Sequence, residues 1–248
     1  MTQKIALVTG GMGGIGTTLA RHLADEGAEV AVTYYKQGDH RQAEAWLQQQ
    51  KNEGYNFKIF YVDLTDFNSV TEMVAAVIEQ MGSIDILVNN AGITEDITLA
   101  KMSPVQWHKV IDNNLHSIFN VTQNVLKEMI KKQYGRIINI SSINGQKGQF
   151  GQTNYCASKA GMHGFTKALA HEVAKKGVTV NTVSPGYVRT PMLEKIDPSI
   201  LQDIIKQIPV GRLAEPDEVA RAVAFLAHSS AGYITGANFS INGGQHMF

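Results

Sequence analysis

Seven short apolar runs punctuate the chain, and the stretches between them carry helical periodicity. The runs are Ile5 to Val8, Val30 to Thr33, Ile59 to Val62, Ile84 to Val88, Ile137 to Ile140, Val178 to Val183 and Phe239 to Ile241. Each is strand-length, and most are rich in Val and Ile. Most also lack polar alternation, as strands covered on both faces do. Helical patterns fall near 14–25, 39–53, 66–81, 104–132, 154–175 and 216–228. This alternation predicts an α/β fold, a parallel sheet with helices on both faces. The pattern runs from the first residues to the last without a repeat or a linker, so residues 1–248 read as one domain. The least regular region, 187–215, contains Pro191, Pro198 and Pro209. It is too long for an ordinary connection and reads as a lid or binding loop.

Composition excludes several classes of function. Apolar residues make up 44% of the chain and charged residues 18%, below the roughly 25% charged of average soluble domains. Much of the chain is therefore expected to be buried, and disorder is excluded. Lys plus Arg and Asp plus Glu each number 22, so no bulk charge draws the chain to nucleic acid or an anionic membrane. The single cysteine, Cys156, cannot form an internal disulfide, which fits a reducing compartment. No run approaches the roughly 18 apolar residues of a membrane span. Ile5 to Val8 is too short for a signal peptide. A cytoplasmic protein is expected.

The first run ends in Thr9-Gly10-Gly11-Met12-Gly13-Gly14-Ile15-Gly16, and a helix follows at once. Such a loop lets the backbone turn tightly and approach a ligand, and the helix N-terminus offers N–H groups to a pyrophosphate. The spacing is Gly-x-x-x-Gly-x-Gly, different from both Gly-x-Gly-x-x-Gly and the Gly-Lys-Ser/Thr phosphate loop. Gly10, Met12, Gly13, Gly14, Ile15 and Gly16 are the candidate contacts. A dinucleotide site predicts an acid for the adenine ribose at the end of the second run. That segment instead reads Thr33-Tyr34-Tyr35-Lys36. Lys36 and Arg41 are the nearby charges, which favours a 2′-phosphate and hence NADPH/NADP. The alternative is that both are solvated surface charges. Asp63, followed by Leu64, either meets the adenine amino group or caps the helix starting near Asp66. Asn90, Ala91 and Gly92 end the fourth run, where small residues let a nucleotide pass.

Tyr155 and Lys159 stand four residues apart on a predicted helix, which places them on one face, one turn apart. A phenol titrates near about 10, and an adjacent ammonium favours the phenolate. Such a Tyr can serve as general acid to a carbonyl oxygen. Ser142, just past the fifth run, can polarise that carbonyl; Ser141 is a rival on spacing alone. Asn114 falls inside a predicted helix, where its propensity is poor. It either bends the helix and holds a water near Lys159, or is a solvated surface residue.

Together these motifs resemble the short-chain dehydrogenases/reductases over essentially the whole chain. The matches in order are Thr9-Gly10-x-x-x-Gly14-x-Gly16, Asn89-Asn90-Ala91-Gly92, Ser142 with Tyr155-x-x-x-Lys159, and Pro185-Gly186. The resemblance implies a single-domain Rossmann-type doubly wound sheet of about seven parallel strands, NAD(P) as hydride carrier and a homotetramer. It implies Tyr155 as proton donor, Lys159 as its tuner and ribose anchor, Ser142 rather than Ser141 as carbonyl polariser, and Asn114 as relay. It also implies Pro185, Gly186, Val188 and Thr190 at the nicotinamide end.

Within the family, the segment from Asn144 to Tyr155 and the ending Asn242-Gly243-Gly244-Gln245-His246-Met247 are similar to those of bacterial reductases acting on acetoacetyl-CoA in polyhydroxybutyrate synthesis. That likeness implies acyl-CoA contacts from Asp96, Gln149, Phe150, Gly151, Gln152 and Tyr187. It also implies (R)-3-hydroxybutyryl-CoA as product. The segment after the second run is longer than in those reductases, which loosens the assignment of phosphate contacts to Lys36 and Arg41. The rival reading is a 3-oxoacyl-[acyl-carrier-protein] reductase. A nucleotide-sensing protein without turnover is a different class, and the intact Ser142, Tyr155 and Lys159 argue against it.

Other features read as packing. Cys156 is expected to be a small buried hydrophobe on its helix. His163 and His171 do not make a metal pair, and no metal site is expected. Ala157, Ala160, Gly161, Gly164 and Ala168 permit close helix contact within or between subunits. Lys131 and Lys132 read as a solvated helix end, or alternatively as a landing site for a carrier protein.

Overall fold

The structure, a computed structural model, describes residues 3–35, 40–191, 193 and 197–247. Among these residues the apolar runs form strands β1 (Ile5–Val8), β2 (Glu29–Tyr34), β3 (Lys58–Tyr61), β4 (Ile86–Asn89), β5 (Gly135–Ile140), β6 (Val178–Pro185) and β7 (Asn238–Ile241). They make one sheet in the order β3-β2-β1-β4-β5-β6-β7, every pairing parallel. The Rossmann-type α/β fold expected from the sequence is thus present. The helices are α1 (Gly14–Asp25), α2 (Arg41–Asn52), α3 (Phe67–Met81), α4 (Pro104–Ile111), α5 (Ser117–Lys132), α6 (Asn144–Lys147), α7 (Thr153–Val173), α8 (Pro198–Lys206) and α9 (Pro216–Ala227).

Alternate residues of each strand feed opposite faces of the sheet. From β1, Ile5 and Leu7 join Val74, Val121, Val125 and Leu169 on the α3–α5–α7 side. Ala6 and Val8 join Leu19, Leu23, Val219 and Val223 on the α1–α9 side. Full burial of such a side chain contributes roughly 1.5–3 kcal/mol, which explains the apolar character of β1 and of the Val and Ile positions in the other strands. The chain leaves β1 toward β2 on one side and β4 lies on the other. The strand order therefore reverses between β1 and β4, and a crevice opens at their carboxyl ends.

Three departures from the sequence reading stand out. The helix expected over 104–132 is broken into α4 and α5 by a π-helical turn at Asp112–His116. β4 begins at Ile86 rather than Ile84, and the preceding Asp85 turns its carboxylate onto the Ile5 N–H, at 3.0 Å. Among the described residues of 187–215, Pro198 starts α8 rather than breaking it. Proline lacks only an N–H that a helix start leaves unpaired, and the Asp197 side chain accepts from Ser199 N at 2.8 Å.

Lys132 is not simply a solvated helix end. Its Nζ lies 2.6 Å from Asp85 Oδ1 and donates to Ser83 O at 3.3 Å. That places it at the amino edge of the sheet, opposite the crevice. Lys131 pairs with Glu128 at 3.9 Å. Among the described residues no helix is long and apolar enough to cross a membrane.

Candidate active site

The crevice is a cleft of about 1110 Å³ running from Tyr34 and Tyr35 to Phe150 and Tyr187. Its floor is the glycine loop after β1. Gly10 has φ +60°, a left-handed conformation natural to glycine. Its N–H donates to Thr33 Oγ1 at 3.2 Å. A Cβ on Gly16 would collide with Gly10 O and stand 2.7 Å from Gly11 Cα. Asn90 stitches the loop to β4: its Nδ2 donates to Thr9 O at 3.0 Å and Gly10 O at 3.1 Å. Thr9 Oγ1 in turn accepts from Asn90 N and Ala91 N. Gly13 is the N-cap of α1 and provides no side-chain bond. The first-turn N–H groups thus remain a donor set suited to a pyrophosphate.

Gly10, Met12, Gly13, Gly14, Ile15 and Gly16 all line the cleft, as do Asn90, Ala91 and Gly92. Pro185, Gly186, Val188 and Thr190 line it from the far side. Thr190 Cγ2 lies 3.0 Å from where a Gly14 Cβ would stand, so the segment after β6 touches the glycine loop.

At the other end, Asp63 and Leu64 line the cleft. Asp63 does not cap α3. Its Oδ1 accepts from Thr65 N at 2.9 Å and Thr65 Oγ1 at 2.7 Å, and Asp66 is the cap, accepting from Asn68 N. The helix-cap alternative for Asp63 is thereby excluded. Lys36 lies outside the described residues. Arg41 opens α2 without itself lining the cleft. The following residues Gln42, Ala43 and Trp46 line an annex of about 380 Å³ with Thr33, Tyr34 and Tyr35. Tyr34 hydrogen-bonds His40 Nδ1 at 2.6 Å and meets Tyr61 edge-on. Spacing gave no signal for this aromatic cluster or for Thr33.

Ser142, Tyr155 and Lys159 converge at the middle of the cleft. Ser142 neighbours the Tyr155 phenol and opposes the upward push on its titration, and its Oγ accepts from Asn144 N at 3.1 Å. Ser141 Oγ is instead committed to Lys159 O at 2.8 Å, which separates the two serines that spacing left open. Lys159 is 3% exposed. Its Nζ donates to Ile140 O at 2.7 Å and stands 5.6 Å from the Tyr155 ring centroid.

Burial governs both titrations. It pushes the phenol up to about 12, with Ser142 opposing it, and pushes Lys159 down to about 7. The sequence expectation that the ammonium lowers the phenol is therefore outweighed by desolvation. Tyr155 holds its proton at neutral pH.

Asn114 is fully buried, which excludes the solvated-surface alternative. It sits in the π-helical turn, so the helix is locally distorted at its position. Its Oδ1 accepts from Ile93 N at 2.8 Å, and its Nδ2 donates to Ile93 O at 3.0 Å and Ser158 Oγ at 3.1 Å. A Cβ at Gly92 would lie 3.2 Å from Asn114 Oδ1 and 3.4 Å from Lys159 Nζ, so both groups border Gly92.

Asp96, Gln149, Phe150, Gln152 and Tyr187 line the outer part of the cleft. Phe150 is 86% exposed, a flap at the mouth rather than a closed wall. Gly151 does not line the cleft; its carbonyl accepts from Ile97 N at 2.8 Å. Gln152 donates to Asp96 Oδ2 at 2.8 Å and accepts from Asn144 Nδ2 at 2.9 Å. Cys156 is half-buried rather than fully buried, and burial pushes its thiol up, away from nucleophilic use. His163 meets Ser184 Oγ at 3.3 Å. The described residues contain no cluster of metal-ligating side chains.

Comparison with known proteins gives full-length matches. Residues 10–246 match the family described as Enoyl-(Acyl carrier protein) reductase. An acetoacetyl-CoA reductase of Allochromatium vinosum is 52% identical over 244 residues, 98% of this chain and 99% of that protein. An acetoacetyl-CoA reductase of Cupriavidus necator is 51% identical over 247 residues, 100% of both chains. A 3-oxoacyl-[acyl-carrier-protein] reductase of Vibrio cholerae is 43% identical over 244 residues, 98% of both chains.

Proposed function

The chain belongs to the short-chain dehydrogenase/reductase family and is an oxidoreductase using a nicotinamide cofactor, and on that premise we propose that it reduces acetoacetyl-CoA to (R)-3-hydroxybutyryl-CoA with NADPH. The observation that carries the reaction type is the convergence of Ser142 and Lys159 in the cleft on a Tyr155 phenol that keeps its proton at neutral pH. The choice of substrate rests on the full-length likeness to reductases of that name.

The loop from Gly10 to Gly16 and the first turn of α1 would hold the cofactor pyrophosphate. Thr190 and Gly92 would flank its other end, and the bound nicotinamide supplies hydride. Ser142 directs its hydroxyl at the substrate carbonyl and stabilises the charge that develops on its oxygen. The Tyr155 O–H bond breaks as a new O–H bond forms on that oxygen, giving the alcohol. Lys159 sits one turn below Tyr155, where its buried amine orients the phenol and the ribose. Asn114 keeps the Ile93 backbone and Ser158 in place beneath the pair. Asp96, Gln149, Gln152 and Tyr187 would face the thioester arm, with Phe150 over the mouth.

NADPH rather than NADH is favoured by the end of β2, where Thr33-Tyr34-Tyr35 offers no carboxylate to a ribose 2′-hydroxyl and Lys36 and Arg41 follow. The carrier-protein alternative is disfavoured by Lys132, whose engagement with Asp85 at the opposite edge removes it from the mouth. A homotetramer in the cytoplasm is part of the same proposal. The half-exposed Phe119 of α5 and the exposed Ala157, Ala160, Gly164 and Ala168 of α7 form faces suited to close helix contact. NADPH oxidation with acetoacetyl-CoA tests the reading. Turnover with a higher kcat/KM for NADPH than for NADH is expected, and equal values would refute the cofactor half.

A further inference from the structure

α6 connects the serine to the helix that carries Tyr155 and Lys159. Its first residue, Asn144, is 8% exposed and makes two bonds in different directions. The backbone N–H donates to Ser142 Oγ at 3.1 Å. The side-chain Nδ2 donates to Gln152 Oε1 at 2.9 Å, and Gln152 is the N-cap of α7. Gln152 Nε2 donates onward to Asp96 Oδ2 at 2.8 Å. The next residue, Gly145, abuts α7 so closely that a Cβ there would stand 2.8 Å from Lys159 C. Gln146 fastens the far side of α6 to β7, donating to Ser240 Oγ at 2.9 Å.

The direction of this chain of bonds is fixed from its outer end. An ionised Asp96 can only accept, so Gln152 must turn its NH₂ outward and its oxygen inward. Asn144 must then present its own NH₂ to Gln152. That leaves Asn144 Oδ1 buried without a partner. A buried acceptor without a partner is costly and uncommon. The fold keeps it where the opposite amide orientation would set two oxygens against each other.

We infer that Asn144 is a positioning residue, joining the Ser142 hydroxyl at the reaction centre to Gln152 and Asp96 at the cleft mouth. The inference rests on the carbonyl-reductase reading of Ser142 and Tyr155 given above. Asn144 touches no reacting atom. It fixes where the serine oxygen stands relative to the phenol, and it does so through the residues that would meet the thioester arm. Seating of that arm against Asp96 and Gln152 thereby bears on the geometry of proton donation.

The test reverses the polarity of the relay. Asn144→Asp keeps the shape and the backbone N–H but opposes one carboxylate to another across Gln152. Adding Asp96→Asn supplies a donor at the outer end, so Gln152 can flip and donate inward. Acetoacetyl-CoA reduction at pH 8 is measured for wild type, N144D and N144D/D96N, with NADPH affinity read separately by fluorescence. N144D is expected to lose at least tenfold in kcat with its NADPH Kd within twofold of wild type, and the double variant to regain at least fivefold in kcat. A double variant no faster than N144D, or an N144D that keeps a third of wild-type kcat, overturns the inference. Should N144D fail to fold, Gln152→Ala carries the test: a fall in kcat supports the relay, and a rise in KM alone overturns it. A wild-type enzyme inactive on every 3-oxoacyl thioester would overturn the functional reading instead.

Discussion

Replacing Ser142 by Ala removes one oxygen that has two roles, and the structure separates their consequences. The phenol loses the neighbour that opposes the effect of its burial, and the developing charge on the substrate oxygen loses a donor. Loss of one such donor costs about 10²–10³-fold in kcat. Independently, the Asn144 N–H loses its acceptor at a buried position. A buried unsatisfied donor costs about 1–3 kcal/mol. For a chain of 150–250 residues each kcal/mol lowers Tm by roughly 2–4 °C, so a fall of about 2–12 °C is expected. The assay is kcat for NADPH-dependent acetoacetyl-CoA reduction together with a thermal melt of the same preparation. A kcat within threefold of wild type would refute the role of Ser142. An unchanged Tm would refute the local bonding.

Three further outcomes follow from other parts of the fold. Tyr155→Phe keeps the ring and removes the donor, so kcat should fall about 10²–10⁴-fold with NADPH binding retained; more than a tenth of wild-type kcat in folded protein would remove Tyr155 from the mechanism. Lys159→Met should abolish turnover yet raise Tm. With its folded value near 7 against 10.5 unfolded, wild-type stability gains about 1.4 kcal/mol per pH unit between those values, so the Tm advantage of the variant should shrink from pH 7 to pH 10. An advantage that grows with pH would contradict the burial argument. Asp85→Ala strips the Ile5 N–H of its side-chain acceptor and Lys132 of its carboxylate and should cost about 1–3 kcal/mol in a denaturant melt. It should leave kcat/KM unchanged, because Asp85 lies at the edge opposite the cleft.

The parts of the fold legible in the sequence are those set by local pattern. Val- and Ile-rich runs became strands because both faces of the sheet are covered, and α1 began at Gly14 where the glycine loop ends. The spacing of Tyr155 and Lys159 placed both side chains on the cleft face of α7. What the sequence hid depends on distant partners. Three prolines between 187 and 215 suggested irregular chain, but Pro198 stands where a helix start has no use for its N–H. Asp63 read equally well as a cap for the helix near Asp66, until Thr65 claimed its carboxylate and Asp66 itself took the cap. Lys132 looked solvated because its partner, Asp85, is 47 residues away. Asn144 gave no signal, since its role arises only when β5, α6, α7 and the Asp96 segment meet. The phenol's upward shift was missed because spacing reports the nearby ammonium and not the burial that overrides it.

The central claim, that this cleft reduces a short 3-oxoacyl group carried on coenzyme A, is tested most directly by comparing kcat/KM for acetoacetyl-CoA and for the acetoacetyl thioester of acyl-carrier protein, with NADPH saturating. The account predicts a higher kcat/KM for acetoacetyl-CoA and an R-configured alcohol as product. A tenfold or greater preference for the carrier-protein thioester would contradict it and move the enzyme to fatty-acid elongation.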